Sequence, residues 1–354
     1  MAIRVAIVAD DLTGALDTGT PFVDAGLSVA VALDVDAAEA AIATGAEVVV
    51  VNTVSRALDP RQAADRVSQA TGALRRASPE FVLKKIDSRL KGNVAAESEA
   101  LAIASGRKRL LVAPAVPDQG RYTREGHVVG FGVAEALPIA PLFSGRASEV
   151  RIADAASDED LDDLAENLDW STTIGVGARG LGRALARRLA RLSPPTPFEP
   201  SPHTLFAFGS RDPITEAQMA VLIESGLVAS RHDAPAGNVS GDAQSARLPM
   251  LLRCSGELTG DARMVAERFA EGASGIVATM APDMLVMGGG DTAYAILRRL
   301  GASVLLPKGE IEAGIPWFEA TRPNGGRMRC AVKSGGFGNA QSLLKVLQDA
   351  PDVL

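Results

Sequence analysis

Ile3 to Ala9, IRVAIVA, is an apolar, β-branched run without strict alternation, the pattern of a strand covered on both faces of a parallel sheet. The spacing then changes to that of a helix, Gly14 to Ala25, stopped at Gly26 before a second apolar run at Ser28 to Leu33. Glu47 to Asn52 (EVVVVN) predicts another buried strand, Pro60 to Ala77 a helix opened by proline, and Phe81 to Ile86 a strand. Helix Ala95 to Ser105 and strand Arg109 to Ala113 continue the alternation. Such alternation predicts a parallel sheet flanked by helices, and ligands bind such sheets at the carboxyl ends of the strands. Asp10, Asn52, Asp87 and Pro114 all fall just past predicted strand ends, so four loops can converge on one cleft.

Pro194 to Pro202, PPTPFEPSP, places five prolines in nine positions, which neither a helix nor a sheet interior tolerates. It reads as a linker between a domain at 1–193 and a second at 203–354. Beyond it come strand Leu205 to Phe208, helix Ile214 to Glu224, strand Leu248 to Arg253 and helix Thr259 to Glu271. Strand Met284 to Met287, helix Thr292 to Leu300, strands Ala302 to Leu306 and Met328 to Val332, and a terminal helix Asn339 to Gln348 complete the reading. The predicted class is α/β, two-domain, each domain with a largely parallel sheet flanked by helices. No internal repeat is visible.

Composition narrows the function classes. A chain of 354 residues with 47% apolar and 22% charged residues has ample core and no disorder signature. A net charge of -7 with 4% aromatic residues argues against nucleic acid as a partner. No apolar run approaches a membrane span, and Asp10 and Asp11 interrupt the first one too early for a signal peptide. Cys254 and Cys330 form no CxxC and read as reduced thiols, so the cytoplasm is the expected location. His127, His203 and His232 lack metal-ligand spacing, and no protein metal site is expected.

The stretch Asp283 to Thr292, DMLVMGGGDT, carries the sharpest chemistry. Three glycines between a buried strand and a helix leave the backbone open to an anion, with Asp291 or Thr292 expected to cap the helix. Phe208-Gly209-Ser210 and Lys333-Ser334-Gly335-Gly336-Phe337-Gly338 are two more small-residue loops after strands of the same domain. Together the three predict a nucleotide pocket without a Walker A sequence. In the first domain, Leu83 to Asn93, LKKIDSRLKGN, crowds Lys84, Lys85, Arg89 and Lys91 around a strand end, which suits a carboxylate or phosphate ligand. Ala113 to Gly126 repeats the form with Gln119, Arg121 and Arg124. Asn52 to Arg56 adds polar groups and a guanidinium, and of Asp10 and Asp11 one can cap the coming helix while the other faces the cleft. Gly175 to Gly180 matches GxGxxG, yet the proline linker follows where a second strand ending in an acidic residue is needed, so these glycines read as helix-to-strand packing.

ADDLTGA at Ala9 to Ala15, KIDSRLKGN at Lys85 to Asn93, APAVPDQGR at Ala113 to Arg121, GGDT at Gly289 to Thr292 and KSGGFG at Lys333 to Gly338 together resemble the four-carbon acid sugar kinase family. The matches run in order over nearly the whole chain. The resemblance implies ATP-dependent phosphorylation of an acid such as threonate, erythronate or 3-oxo-tetronate, at the terminal hydroxyl. It implies an acid-binding N-terminal domain and an ATP-binding C-terminal one. By resemblance, Ser210, Gly289, Gly290, Asp291, Thr292 and Gly335 fall on nucleotide positions, and Asp10, Asp11, Arg56, Lys85, Asp87, Ser88, Lys91, Gln119 and Arg121 on the acid side. The family usually reads DSTLRGN where this chain has Asp87 to Asn93, so Arg89 replaces a small hydroxyl and Lys91 an arginine. Gly336 stands where asparagine is common and Val54 where an acidic residue is common.

The expected partners are therefore a small sugar acid and ATP with Mg2+, while the oligomeric state stays open, a homodimer included. Asp11 or Asp87 would take the hydroxyl proton, and closure about the linker would unite the two ligands. Two other readings remain: an NAD-dependent oxidoreductase using Gly175 to Gly180, and a non-catalytic sensor of sugar acid and nucleotide.

Overall fold

The computed structural model describes residues 3–193, 196–256, 261–321 and 326–348. The chain divides into two compact units, Met1–Pro195 and Thr196–Leu354. Pro194 and Pro195 of the expected linker lie outside the described residues, as does Thr259, the expected start of a helix.

In the first unit the uninterrupted apolar runs become parallel strands. They are β1 (Val5–Ala9), β2 (Val29–Ala32), β3 (Val48–Asn52), β4 (Phe81–Lys85), β5 (Arg109–Ala113) and, later in the chain, β9 (Glu149–Ile152) and β10 (Thr173–Gly177). A small antiparallel sheet, β6 (Arg121–Arg124), β7 (His127–Gly130) and β8 (Leu137–Pro138), is inserted after β5. The helices are α1 (Leu12–Asp24), α2 (Ala38–Ala43), α3 (Pro60–Arg76), α4 (Val94–Ser105), α5 (Asp158–Asn167) and α6 (Arg179–Arg188). Residues 5–9 and 48–51 are buried throughout, because helices cover both faces of the central strands.

The parallel strands lie in the order β2-β3-β1-β4-β10-β5-β9. The chain leaves β1 toward one edge and leaves β4 toward the other, so a crevice opens between the loops that follow them. Register brings these loops level: Ala9 is opposite Asn52 on one side and Lys85 on the other.

The second unit repeats the logic with β11 (Thr204–Phe208), α7 (Pro213–Glu224), β12 (Ser230–Pro235), β13 (Met250–Ser255), α8 (Ala262–Met280), β14 (Met284–Gly288) and α9 (Gly290–Arg299). It ends in the antiparallel strands β15 (Val304–Glu312), β16 (Ile315–Thr321) and β17 (Arg327–Lys333), although β17 is parallel to β14. The order is β12-β13-β11-β14-β17-β16-β15, and the connections diverge between β11 and β14. Phe206, Phe208, Met219, Leu222, Met284, Val286 and Trp317 form its core.

Three expectations need correction. The terminal helix Asn339 to Gln348 is a series of turns with one short 3-10 segment, Leu344–Val346. Its apolar spacing serves instead to bury Leu343 and Val346. The strand expected at Ala302 to Leu306 begins at Val304 and runs on to Glu312, pairing with β16, which the sequence pattern did not reveal. β12 was also missed.

Candidate active site

At the crevice of the first unit, Asp10 and Asp11 follow β1 and are both held by Arg56, which follows β3. Arg56 Nε and Nη2 donate to the two oxygens of Asp10 at 2.8 and 2.9 Å, while Nη1 and Nη2 donate to those of Asp11 at 2.7 and 3.0 Å. Asp11 is also the N-cap of α1, accepting from the Gly14 amide at 2.9 Å and from the Thr13 hydroxyl. Asp10 is 3% exposed. Burial pushes its carboxyl up, but Lys84, Arg56 and Lys85 together hold it below the usual carboxylate range. Burial likewise works against the Arg56 charge, and Asp11 and Asp10 outweigh it, raising its proton affinity. Gly92, at φ +84, lies over this cluster, where a Cβ would come 3.1 Å from Asp10 Oδ2.

The two lysines that end β4 have different fates. Lys84 is buried behind the crevice, where its ammonium pairs with Glu97 of α4 at 2.8 Å and donates to the Lys85 carbonyl at 2.7 Å. Glu97 in turn accepts from Ser55, which shares a hydrogen bond with Thr53. This polar network, absent from the sequence reading, fixes β3, β4 and α4 together. Lys85 is 6% exposed and among the described residues donates once, to the Ile86 carbonyl at 2.9 Å. Two of its N–H groups remain for a ligand. Gly14 leaves it room, since a Cβ there would stand 2.8 Å from Lys85 Nζ.

Asp87 and Ser88 come next and are half-buried. Among the described residues Asp87 Oδ1 accepts only the Arg89 amide, at 2.9 Å. Ser88 Oγ accepts from Arg121 Nη1 at 2.5 Å, and the same nitrogen reaches Gln119 Oε1 at 3.3 Å. Arg121 thus joins the inserted sheet to the β4 loop. Lys91 is exposed and has no hydrogen-bond or ion-pair partner among the described residues.

In the second unit the three glycine loops follow β11, β14 and β17, which are adjacent in the sheet. Gly209 and Ser210 donate their amides to Gly288 O at 3.1 and 3.2 Å, and Gly289 donates to Lys333 O at 3.2 Å. Gly289 has φ +96, which favours glycine, and Ser210 Cβ is 3.5 Å from where its Cβ would stand. Contrary to expectation, Gly289 is the N-cap of α9, with no side-chain cap bond, so neither Asp291 nor Thr292 caps it. The amides of Gly290, Asp291 and Thr292 therefore have no acceptor among the described residues. Thr292 is buried against Gly209, where a Cβ would collide with its hydroxyl, while Asp291 is exposed. Gly335 packs on Asp212, the N-cap of α7, with 2.8 Å between its missing Cβ and Asp212 Cβ.

Lys333 has no expected role beyond opening the glycine loop after the last strand. It is fully buried at the end of β17 and donates to Thr215 Oγ1, Ser334 O and Gly335 O at 2.8, 3.0 and 2.9 Å. Burial lowers its pKa to about 8 against the opposing pull of Asp212. The only signal available in sequence was a lysine closing a buried run. Among the described residues no group of three or more His, Cys, Asp or Glu could hold a metal ion.

The glycines of the GxGxxG run sit in tight packing, as expected. A Cβ on Gly175 would stand 2.7 Å from Leu83 Cδ2, and one on Gly177 would stand 2.6 Å from Ala113 O.

Residues 5–138 match a sugar-binding N-terminal domain model and residues 244–343 a nucleotide-binding C-terminal domain model. A D-threonate kinase of Bordetella bronchiseptica is 30% identical, over 97% of this chain and 96% of the relative. A 3-oxo-tetronate kinase of Methylobacterium radiotolerans is 27% identical, over 96% of this chain and 97% of the relative. A solved structure from Salmonella typhimurium LT2 superposes with a TM-score of 0.79, covering 98% of this chain and 100% of that one. At 18% identity that likeness shows the fold alone.

Proposed function

Because the chain belongs to the four-carbon acid sugar kinase family, we propose that it transfers the γ-phosphoryl group of ATP to a hydroxyl, the terminal one, of threonate, erythronate or 3-oxo-tetronate. The observation that carries the ATP half is the uncapped N-terminus of α9 among three glycine loops, where open amides and the helix dipole favour phosphate. Ser210, Gly289 to Thr292 and Gly335 are the nucleotide residues of this reading. Mg2+ would enter with ATP and neutralise its phosphate charge, with Asp212 and Asp291 the carboxylates at these loops.

On the acid side, Lys85 and Arg121 supply cations with unused donors, and Ser88 and Gln119 orient Arg121. Asp87 is the carboxylate assigned the hydroxyl proton in this reading. Among the described residues its carboxylate accepts one amide hydrogen bond and so has oxygen positions open to a substrate hydroxyl, whereas both oxygens of Asp11 are engaged by Arg56, Gly14 and Thr13. Asp10, Asp11 and Arg56 position the crevice. Positioning and electrostatics do the remaining work of phosphoryl transfer. A cytoplasmic location fits the use of ATP and the two free thiols; among the described residues no helix is long and apolar enough to cross a membrane.

The deciding assay is ADP release with D-threonate, D-erythronate and 3-oxo-tetronate, with and without Mg2+. Release that depends on one of these acids is expected. Reduction of a nicotinamide cofactor, or binding of acid and ATP with no ADP formed, would replace this reading by one of its rivals.

A further inference from the structure

Two guanidinium groups in the first unit face the same glycine, with no anionic partner for either among the described residues. Arg121 spends Nε on Phe131 O at 3.1 Å and Nη1 on Ser88 and Gln119, leaving Nη2 without a partner among the described residues. Arg89 projects from a turn in which the Leu90 amide donates to Asp87 O at 2.9 Å, and its exposed side chain has no hydrogen-bond or ion-pair partner among the described residues. Both point at Gly132. A Cβ placed there would stand 3.6 Å from Arg121 Nη2 and 3.9 Å from Arg89 Nη1, so the two cations flank one bare stretch of backbone. Gly132 is at φ +74, and glycine keeps that space open.

Like charges placed this way repel. Burial lowers the proton affinity of Arg121, Arg89 lowers it further, and Asp87 only partly opposes them. A carboxylate between the groups would remove the repulsion and accept from two planar forks, a geometry an ammonium does not offer.

We propose that Arg89 and Arg121 clamp the carboxylate of the sugar acid, which makes Arg89 the residue that selects an acid over an uncharged polyol. This rests on the sugar-acid kinase reading. Lys91, exposed and two positions further on, is not part of the clamp.

The test compares wild type with Arg89→Gln, Arg89→Lys and Lys91→Gln, using the best four-carbon acid of the ADP assay and erythritol as the uncharged probe. Arg89→Gln is expected to raise KM for the acid roughly tenfold to a hundredfold, as for loss of a hydrogen bond to a charged group. Its kcat and its KM for ATP stay close to wild type, the preference for acid over erythritol falls by the same factor, and Arg89→Lys recovers part of it. An unchanged acid KM in Arg89→Gln, or the loss appearing in Lys91→Gln instead, overturns the clamp. If wild type releases no ADP with any acid, the kinase reading fails separately. Calorimetric titration of the acid alone then decides: binding lost in Arg89→Gln upholds the clamp, and binding unchanged or absent in wild type overturns it.

Discussion

Arg56 grips Asp10 through two parallel hydrogen bonds and reaches Asp11 through two more, so one side chain after β3 locks the two carboxylates that follow β1. Asp10 is buried, and removing Arg56 would take away its hydrogen-bonded cation, leaving only the nearby charges of Lys84 and Lys85 to offset its burial. Arg56→Ala is expected to cost about 3 kcal/mol near neutral pH. Since Asp10 is held below the usual range, this stability is present above the unfolded carboxylate pKa and disappears as acid protonates the group. The melting-temperature gap between variant and wild type should therefore narrow below about pH 4. A gap that is absent at pH 7, or unchanged in acid, would remove the structural role of the pair.

Asp11 and Asp87 are separated by the same reasoning. Asp87→Asn should lower kcat by roughly a hundredfold or more while nucleotide still binds, because the group proposed to take the hydroxyl proton is gone. Asp11→Asn should chiefly lower the melting temperature, since it disturbs the cap of α1 and two bonds to Arg56. The reverse pattern in paired kinetic and melting measurements would exchange their roles.

How much of this was legible in the sequence depended on burial. β1, β3, β4, β11 and β14 are enclosed on both faces, so their continuous apolar runs announced them. β12 reads Ser-Arg-His-Asp-Ala-Pro because it is an edge strand with alternating exposure, and β15 contains Pro307 and Gly309, which look like a stop. The site residues were visible as a set after strand ends, but their pairings were not. Arg56 is 46 positions from Asp10, and Glu97 sits inside a helix where nothing local marks it as the partner of Lys84. Side chains that meet through the register of three strands leave no short-range trace.

The glycine run at Gly175 to Gly180 gives a test of packing against cofactor binding. Gly177→Ala would drive a Cβ toward the Ala113 carbonyl and Leu181 Cβ, at 2.6 and 2.9 Å, both on packed elements. A loss of roughly 1–3 kcal/mol is expected from such overpacking, read as a lower melting temperature. Fluorescence titration should find no nicotinamide dinucleotide bound to wild type or variant. Saturable binding to wild type that the variant abolishes would restore the oxidoreductase reading.

Lys333 offers the sharpest pH prediction, because its effects on stability and on nucleotide binding run in opposite directions. As a cation it has three N–H groups for three acceptors, Thr215 Oγ1 and the carbonyls of Ser334 and Gly335, and so it shapes the glycine loop after β17. Its pKa is lowered by burial to about 8, below that of an unfolded lysine. Below pH 8 the folded state carries the full cost of a buried charge, and that cost is relieved as pH rises from about 8 toward the unfolded value near 10.4. This lysine therefore makes the protein more stable with rising pH in that window. The neutral amine, however, has lost its charge and one of its three N–H groups, so its hydrogen bonds to the two loop carbonyls weaken even where the Thr215 hydroxyl turns to donate. KM for ATP should rise across pH 7.5 to 9, whereas Lys333→Met should show a KM raised roughly tenfold or more, with no further change over that range. Its melting temperature should stay near or above that of wild type, since the methionine fills the same space without charge. A variant whose ATP affinity matches wild type at pH 7, or keeps the same pH dependence, would separate Lys333 from the nucleotide loop.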